Sequence, residues 1–117
     1  MSSLSCSKHC LTLSDPWFEL VRSGLKTVEG RLCDERRSHM QVGEILLFSN
    51  QAGTNHFQRK ITKLERFPSF RTAIQKVGLI NILPGVLTVN DGVKIYHQIP
   101  GYQERESALG VLLISFN

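Results

Sequence analysis

The sequence predicts one small α+β domain, in which short strands form a mixed β-barrel and helices cover its open ends. The 117 residues supply enough chain for one hydrophobic core but not for two. Segments with strand-like patterns alternate with segments at helical spacing, in the order β-α-β-β-β-α-(α)-β. The sequence shows neither internal repeats nor a linker. We therefore assign residues 1–8 to a flexible N-terminal tail and residues 9–117 to a single domain.

The composition is that of a soluble globular protein, with 41% hydrophobic and 21% charged residues. No apolar run approaches the roughly 20 residues that a membrane span needs, and no hydrophobic signal segment opens the sequence. Cys6, Cys10 and Cys33 lack paired spacing, which favours a reducing compartment. Cys6, His9 and Cys10 lack the second ligand pair that structural zinc requires. We expect an intracellular monomer, in the cytoplasm or nucleus, without a metal, a cofactor or a membrane partner.

The first half of the chain supplies the predicted strands and one short helix. A helix is expected at 15–24, because Asp-Pro is typical of a helix start and Gly24 of a helix end. The other predicted segments are a strand at 10–13, a strand at 27–32, a charged loop at 34–38 and a strand at 44–49 that is buried on both faces.

The second half of the chain begins with a long strand at 56–67. Its apolar residues change parity midway, which indicates a β-bulge. Ser69 can cap the following helix, and Gly78 can end it. The remaining predictions are an apolar turn at 79–85, a helix at 88–98, a polar loop at 100–109 and a buried strand at 110–116.

Residues 24–31 place a cation, an anion and a second cation where the first predicted helix ends and a strand begins. Glu29 and Arg31 are two residues apart on that strand, so their side chains leave the same face, about 7 Å apart. Lys26 follows the helix end and can turn toward that face. A carboxylate accepts hydrogen bonds from amino or imino groups, while lysine and arginine hold carbonyl or phosphate groups. Taken alone, the spacing equally suits an exposed ion pair without function.

This stretch resembles the G-x-K-x-x-E-x-R signature of the ASCH family, the activating signal cointegrator homology domain. Gly24, Lys26, Glu29 and Arg31 occupy its four positions, and the similarity runs from about residue 10 to the C-terminus. The resemblance implies a PUA-like β-barrel in which the signature lines a cleft, and a role in RNA metabolism or transcription coactivation. We therefore predict that the cleft binds RNA or a nucleobase-like molecule through Lys26, Glu29, Arg31 and Tyr96.

A basic segment supplies candidate contacts to an RNA backbone. The segment 59–76 contains six lysines and arginines but only one acidic residue, Glu65. Such an excess suits phosphate, although an ordinary solvated surface has the same pattern. The predicted backbone contacts are Arg59, Lys60, Lys63, Arg66 and Arg71.

Two alternatives to a binding module remain open. Relatives similar in fold hydrolyse N4-acetylcytidine with a lysine, a threonine nucleophile and a glutamate. Their lysine matches Lys26, but Glu29 stands at the threonine position, and residues 60–62 hold no acid. A carboxylate cannot follow the same covalent route, although Lys26 and Glu29 could serve as catalytic residues in a ribonuclease acting on single-stranded RNA. The other alternative is a protein-interaction domain.

Overall fold

The structure, a computed structural model, describes residues 8–117, and it has the predicted α+β class. The predicted tail lies outside these residues except for Lys8, which begins the first strand. Within them, no helix is long and apolar enough to cross a membrane. The strands are β1 (Lys8–Leu13), β2 (Val28–Leu32), β3 (Ile45–Asn50), β4 (His56–Phe67) and β5 (Val111–Phe116). The helices are α1 (Trp17–Arg22), α2 (Glu35–Ser38), α3 (Phe70–Val77), α4 (Leu79–Ile82), α5 (Val89–His97) and α6 (Tyr102–Leu109).

The five strands form one curled sheet in the order β1-β3-β4-β5-β2. β1 runs parallel to β3, and the other neighbours are antiparallel. In a flat sheet the outer strands β1 and β2 would lie about 19 Å apart, four times the usual strand spacing. Yet the Arg31 Nη2 atom on β2 donates a hydrogen bond to the Thr12 carbonyl on β1, at 3.2 Å. The sheet must therefore curl into a half-barrel that brings its two edges together.

Strand β5 packs against a separate hydrophobic cluster on each face. Leu112, Ile114 and Phe116 join the cluster formed with β1, β3 and α1. Val111 and Leu113 join a second cluster, which α3, α4 and α5 cover. Burial on both faces explains the continuous apolar run of this strand.

Strand β4 confirms the predicted bulge. The pairing register with β5 shifts between Ile61 and Lys63. Before the shift, Phe57 and Ile61 pack on the first cluster, and after it the even-numbered Leu64 does so. The extra residue therefore reverses which side chains face that core.

The segment at 34–38, predicted to be a loop, is the helix α2. The Asp34 side chain accepts a hydrogen bond from the Arg37 amide at 3.0 Å, so it caps the helix. The prediction of a polar loop at 100–109 was also wrong, because this segment contains α6. The apolar turn predicted at 79–85 contains α4. Neither α2 nor α6 has a fully buried residue, so no apolar stripe marks them in the sequence.

Strand β3 is fully buried on one face only, in contrast to the prediction. Leu46 and Phe48 are completely enclosed in the first cluster, whereas Ile45 and Leu47 are half-buried. Leu47 pairs with the exposed Gln58 of β4, so the outer face of this part of the sheet is only partly covered.

Candidate functional site

The end of α1 directs Lys26 into the interior. Gly24 adopts φ +89°, a conformation that glycine tolerates best, and the Lys26 amide donates to the Leu20 carbonyl at 2.9 Å. The chain then turns toward β2, and the Lys26 side chain is only 1% exposed. A charged side chain this deeply buried needs partners for all its donors.

The ammonium of Lys26 has those partners. Its Nζ donates to the Val28 carbonyl at 2.6 Å, to the Glu29 Oε1 at 3.3 Å, and to the Ile82 carbonyl. Burial lowers the pKa of Lys26, and the charge of Glu29 opposes that effect. An ammonium carries three donors, so none is left for a ligand. Lys26, which was predicted to bind the ligand, therefore uses one of its donors to hold the Glu29 carboxylate in place.

Glu29 uses its two carboxylate oxygens unequally. Oε1 accepts from Lys26 Nζ, from the Gly30 amide at 2.8 Å and from the Tyr96 hydroxyl at 2.9 Å. Oε2 accepts only from Arg31 Nη2, at 3.3 Å. Burial by itself would raise the pKa of Glu29, but Lys26, Arg31 and these hydrogen bonds hold the pKa below its usual value. Glu29 is therefore ionised, and Oε2 retains capacity to accept a further hydrogen bond.

Arg31 carries a buried donor beside that oxygen. Its Nη2 donates to both Thr12 and Glu29, whereas its Nε is buried and has no hydrogen-bond partner among the described residues. Burial opposes the charge, but Glu29 and the hydroxyls of Tyr102 and Tyr96 raise the pKa of Arg31. The Arg31 side chain as a whole is 16% exposed, so its guanidinium can meet a ligand although its Nε is enclosed.

Tyr96, also predicted to bind the ligand, orders the carboxylate of Glu29. Its hydroxyl donates to Glu29 and accepts from the Gly30 amide at 3.3 Å. Burial, followed by the nearby charge of Glu29, raises the pKa of Tyr96 well above its usual value, so the hydroxyl keeps its proton. One face of the ring stacks on Phe70 at 4.3 Å between centroids, and Phe70 stacks in turn on Tyr102 at 5.7 Å.

Gly30 makes this arrangement possible, a role that the sequence analysis missed. A Cβ at this position would lie 3.3 Å from the Tyr96 hydroxyl and from Leu113 Cδ2. A glycine within a strand often marks such a close approach, and that was the available signal. The Thr12 carbonyl, which accepts a hydrogen bond from Arg31, was also missed. No local sequence pattern predicts a backbone contact between the two edge strands.

Replacing Gly30 with alanine should push the Tyr96 ring away from Glu29. We expect a loss of about 1–3 kcal/mol in the free energy of unfolding, the usual effect of overpacking, measured by urea denaturation. In a Tyr96→Phe background the hydrogen bond is already gone, so the same change should destabilise less. An equal loss in both backgrounds would show that Gly30 does not act through Tyr96.

A pocket of about 550 Å³ opens between the edge strands β1 and β2. Its polar lining includes Glu29 and Arg31. Its apolar wall comes from Trp17, Leu83, Ile95, Ile99 and Pro100. Trp17 packs against both hydrophobic clusters as well as lining the pocket. It is also the single tryptophan of the chain, so its fluorescence reports on this pocket.

The five basic residues predicted to contact an RNA backbone do not line the pocket. Two of them bond to helix ends: Arg59 Nη2 donates to the Arg22 carbonyl at 3.1 Å, and Arg66 Nη2 to the Ser38 carbonyl at 3.2 Å. Lys63 pairs with Glu65 at 3.4 Å on the surface. Lys60 and Arg71 are exposed. They come from the central strand β4 and from α3, whereas the pocket lies between the sheet edges.

Residues 11–117 match the sequence model of the ASCH domain. The chain belongs to the ASCH domain family. In this ASCH domain the signature lysine, glutamate and arginine form a connected group at the pocket. The arginine also bonds across the gap between the edge strands β1 and β2.

Two solved structures are similar to this ASCH domain along nearly its whole length. The crystal structure of hypothetical protein PH0355 is 34% identical, with a TM-score of 0.84, over 94% of this chain and 97% of that one. The solution NMR structure of protein PF0455 from Pyrococcus furiosus is 29% identical, with a TM-score of 0.72, over 94% and 96% of the two chains. No curated protein matches the chain.

Proposed function

We propose that this ASCH domain is a binding module that takes a nucleobase, free or as part of RNA, into the pocket between β1 and β2. One observation carries the proposal: the guanidinium of Arg31, a hydrogen-bond donor, lies with its Nη2 3.3 Å from the Glu29 Oε2, which accepts no other hydrogen bond from the described residues, and both side chains line the pocket. Nucleobases present donors and acceptors side by side on one edge, and proteins read unstacked bases through these edges. Arg31 would donate to the ring acceptor, and Glu29 would accept from the ring amino or imino group.

The rigidity of the site supports binding. Lys26, Tyr96 and the Gly30 amide already hold the carboxylate in place, and Arg31 is held by Thr12 and Glu29. A ligand then orders few side chains when it enters, which lowers the entropic cost of association. The apolar wall opposite supplies a surface on which a flat ring can pack.

The state of Glu29 favours binding over hydrolysis. Its pKa is held low by two cations and two neutral donors, although burial opposes that shift. A carboxylate stabilised in this way is a weak proton acceptor, and general-base catalysis needs a pKa closer to the working pH.

Titration with ribonucleosides and with single-stranded RNA, followed by Trp17 fluorescence and calorimetry, tests the proposal. Arg31→Lys keeps the positive charge but removes the planar guanidinium and its fixed donors, so we expect affinity to fall by at least about tenfold, the usual value of one good paired contact. Arg105→Lys, an exposed position on α6, is the matched control and should bind as the wild type does.

Failure of every nucleoside and RNA to bind would contradict the proposal, as would equal affinity in wild type and Arg31→Lys. Chromatography of the same mixtures checks for reaction. Turnover of an N-acylated nucleoside or of RNA that Glu29→Gln abolishes would favour a hydrolase instead.

A further inference from the structure

We infer that the pocket selects an uncharged ring edge, on which a hydrogen-bond donor neighbours an acceptor, and that it excludes anions, nucleotide phosphate among them. This inference rests on the proposed function and narrows its ligand class. It separates recognition of the base from any contact with the RNA backbone.

The charges that line the pocket balance. Lys26 and Arg31 are its two cations, and Asp15 and Glu29 are its two carboxylates. Lys26 is enclosed and has given all three donors to protein acceptors, so of the two cations only Arg31 can offer hydrogen bonds to a ligand. The pocket thus lacks the excess of cations that phosphate sites have.

The negative charge of Glu29 repels an anion that approaches Arg31. Its Oε2 lies 3.3 Å from Arg31 Nη2, so an anion that reached the guanidinium would bring its oxygens close to a carboxylate. Like charges at such separations repel strongly in a partly buried site. A neutral edge avoids this repulsion, because it turns an N–H toward Glu29 and a lone pair toward Arg31.

Cations outside the pocket do not change this balance. Arg37 on α2 is near enough to Arg31 for the two charges to repel, which adds to the effect of burial in lowering the pKa of Arg37. It does not line the pocket, and neither do the five basic residues of β4 and α3. A phosphate carried into the pocket on a nucleoside would therefore find no further cation among the side chains of residues 9–117.

The test compares each ribonucleoside with its 5′-monophosphate and with inorganic phosphate, using wild-type protein and the Trp17 signal. We expect the nucleoside affinity to change by less than about twofold between low and high salt, because no counterions are released. The monophosphate should bind no more tightly than the nucleoside, and inorganic phosphate should not displace it.

Two variants test the excluding charge. Glu29→Gln removes the repulsion and should let inorganic phosphate compete with the nucleoside. Because that change also disturbs a buried pair, Asp15→Asn provides an exposed second variant, which should raise the affinity of the monophosphate relative to the nucleoside. Lys76→Ala removes an exposed charge away from the pocket and should leave both affinities unchanged.

Displacement of the nucleoside by inorganic phosphate in the wild type, or a monophosphate bound at least about tenfold more tightly, would overturn the inference while the proposed function stands. A steep salt dependence of nucleoside binding would overturn it as well. Absence of binding by nucleosides, nucleotides and RNA alike would overturn both.

Discussion

Replacing Glu29 with alanine is expected to lower the free energy of unfolding by about 3–5 kcal/mol, because it leaves a buried ammonium without its counter-charge. Lys26 is 1% exposed and would keep only the neutral carbonyls of Val28 and Ile82 as partners. The Tyr96 hydroxyl and the Gly30 amide would also lose their acceptor on Glu29. Urea denaturation followed by circular dichroism measures this loss.

A double-mutant cycle with Lys26→Met separates the pair from its surroundings. The double variant buries no unpaired charge at this point, so it should be more stable than the two single losses predict, by about 1–3 kcal/mol. Glu19→Ala removes a carboxylate from an exposed ion pair with Arg22, and it should have a much smaller effect. Additive losses in the cycle would show that Lys26 and Glu29 do not stabilise each other.

Replacing Phe70 with alanine should both destabilise the domain and weaken the pocket. Phe70 is completely buried between the rings of Tyr96 and Tyr102, and truncation of such a side chain typically costs about 3–5 kcal/mol. Loss of the stacked ring frees Tyr96 to move, and Glu29 then loses the hydroxyl that orders its Oε1. Unfolding curves and nucleoside titrations of the same sample measure the two effects.

Phe116→Ala is the matched control for this experiment. Phe116 is 5% exposed and packs edge-on against Phe48 in the other hydrophobic cluster, away from Tyr96. We expect a comparable loss of stability with little change in nucleoside affinity. If both variants weakened binding equally, the effect of Phe70 would be one of general stability rather than support for Glu29.

The alternation of apolar and polar residues was enough to predict most of the fold. It located the five strands but not their order in the sheet, and the parity change in 56–67 predicted the bulge of β4. The same period of two placed Glu29 and Arg31 on one face, and they are in contact at 3.3 Å. These features depend on the spacing of residues within short segments, so they could be predicted from the sequence alone.

Other features depend on contacts between distant residues. The depth of Lys26 is set by the Ile82 carbonyl, 56 residues away, and no local pattern distinguishes a buried lysine from an exposed one. Helix α6 was missed because it buries no residue fully and so has no apolar stripe. The basic residues of β4 are also divided, because Arg59 and Arg66 donate to helix carbonyls while Lys60 stays exposed.

The most direct measurement of the central claim is the ¹H–¹⁵N NMR signal of the Arg31 Nε–H, recorded while a ribonucleoside that perturbs Trp17 fluorescence is added. If the Arg31 guanidinium reads the ring edge, the resonance of its Nε–H should shift on binding and its hydrogen exchange should slow, while the Nε–H of the exposed Arg105 stays unchanged. A nucleoside that binds and leaves the Arg31 Nε–H resonance where it was would contradict the account.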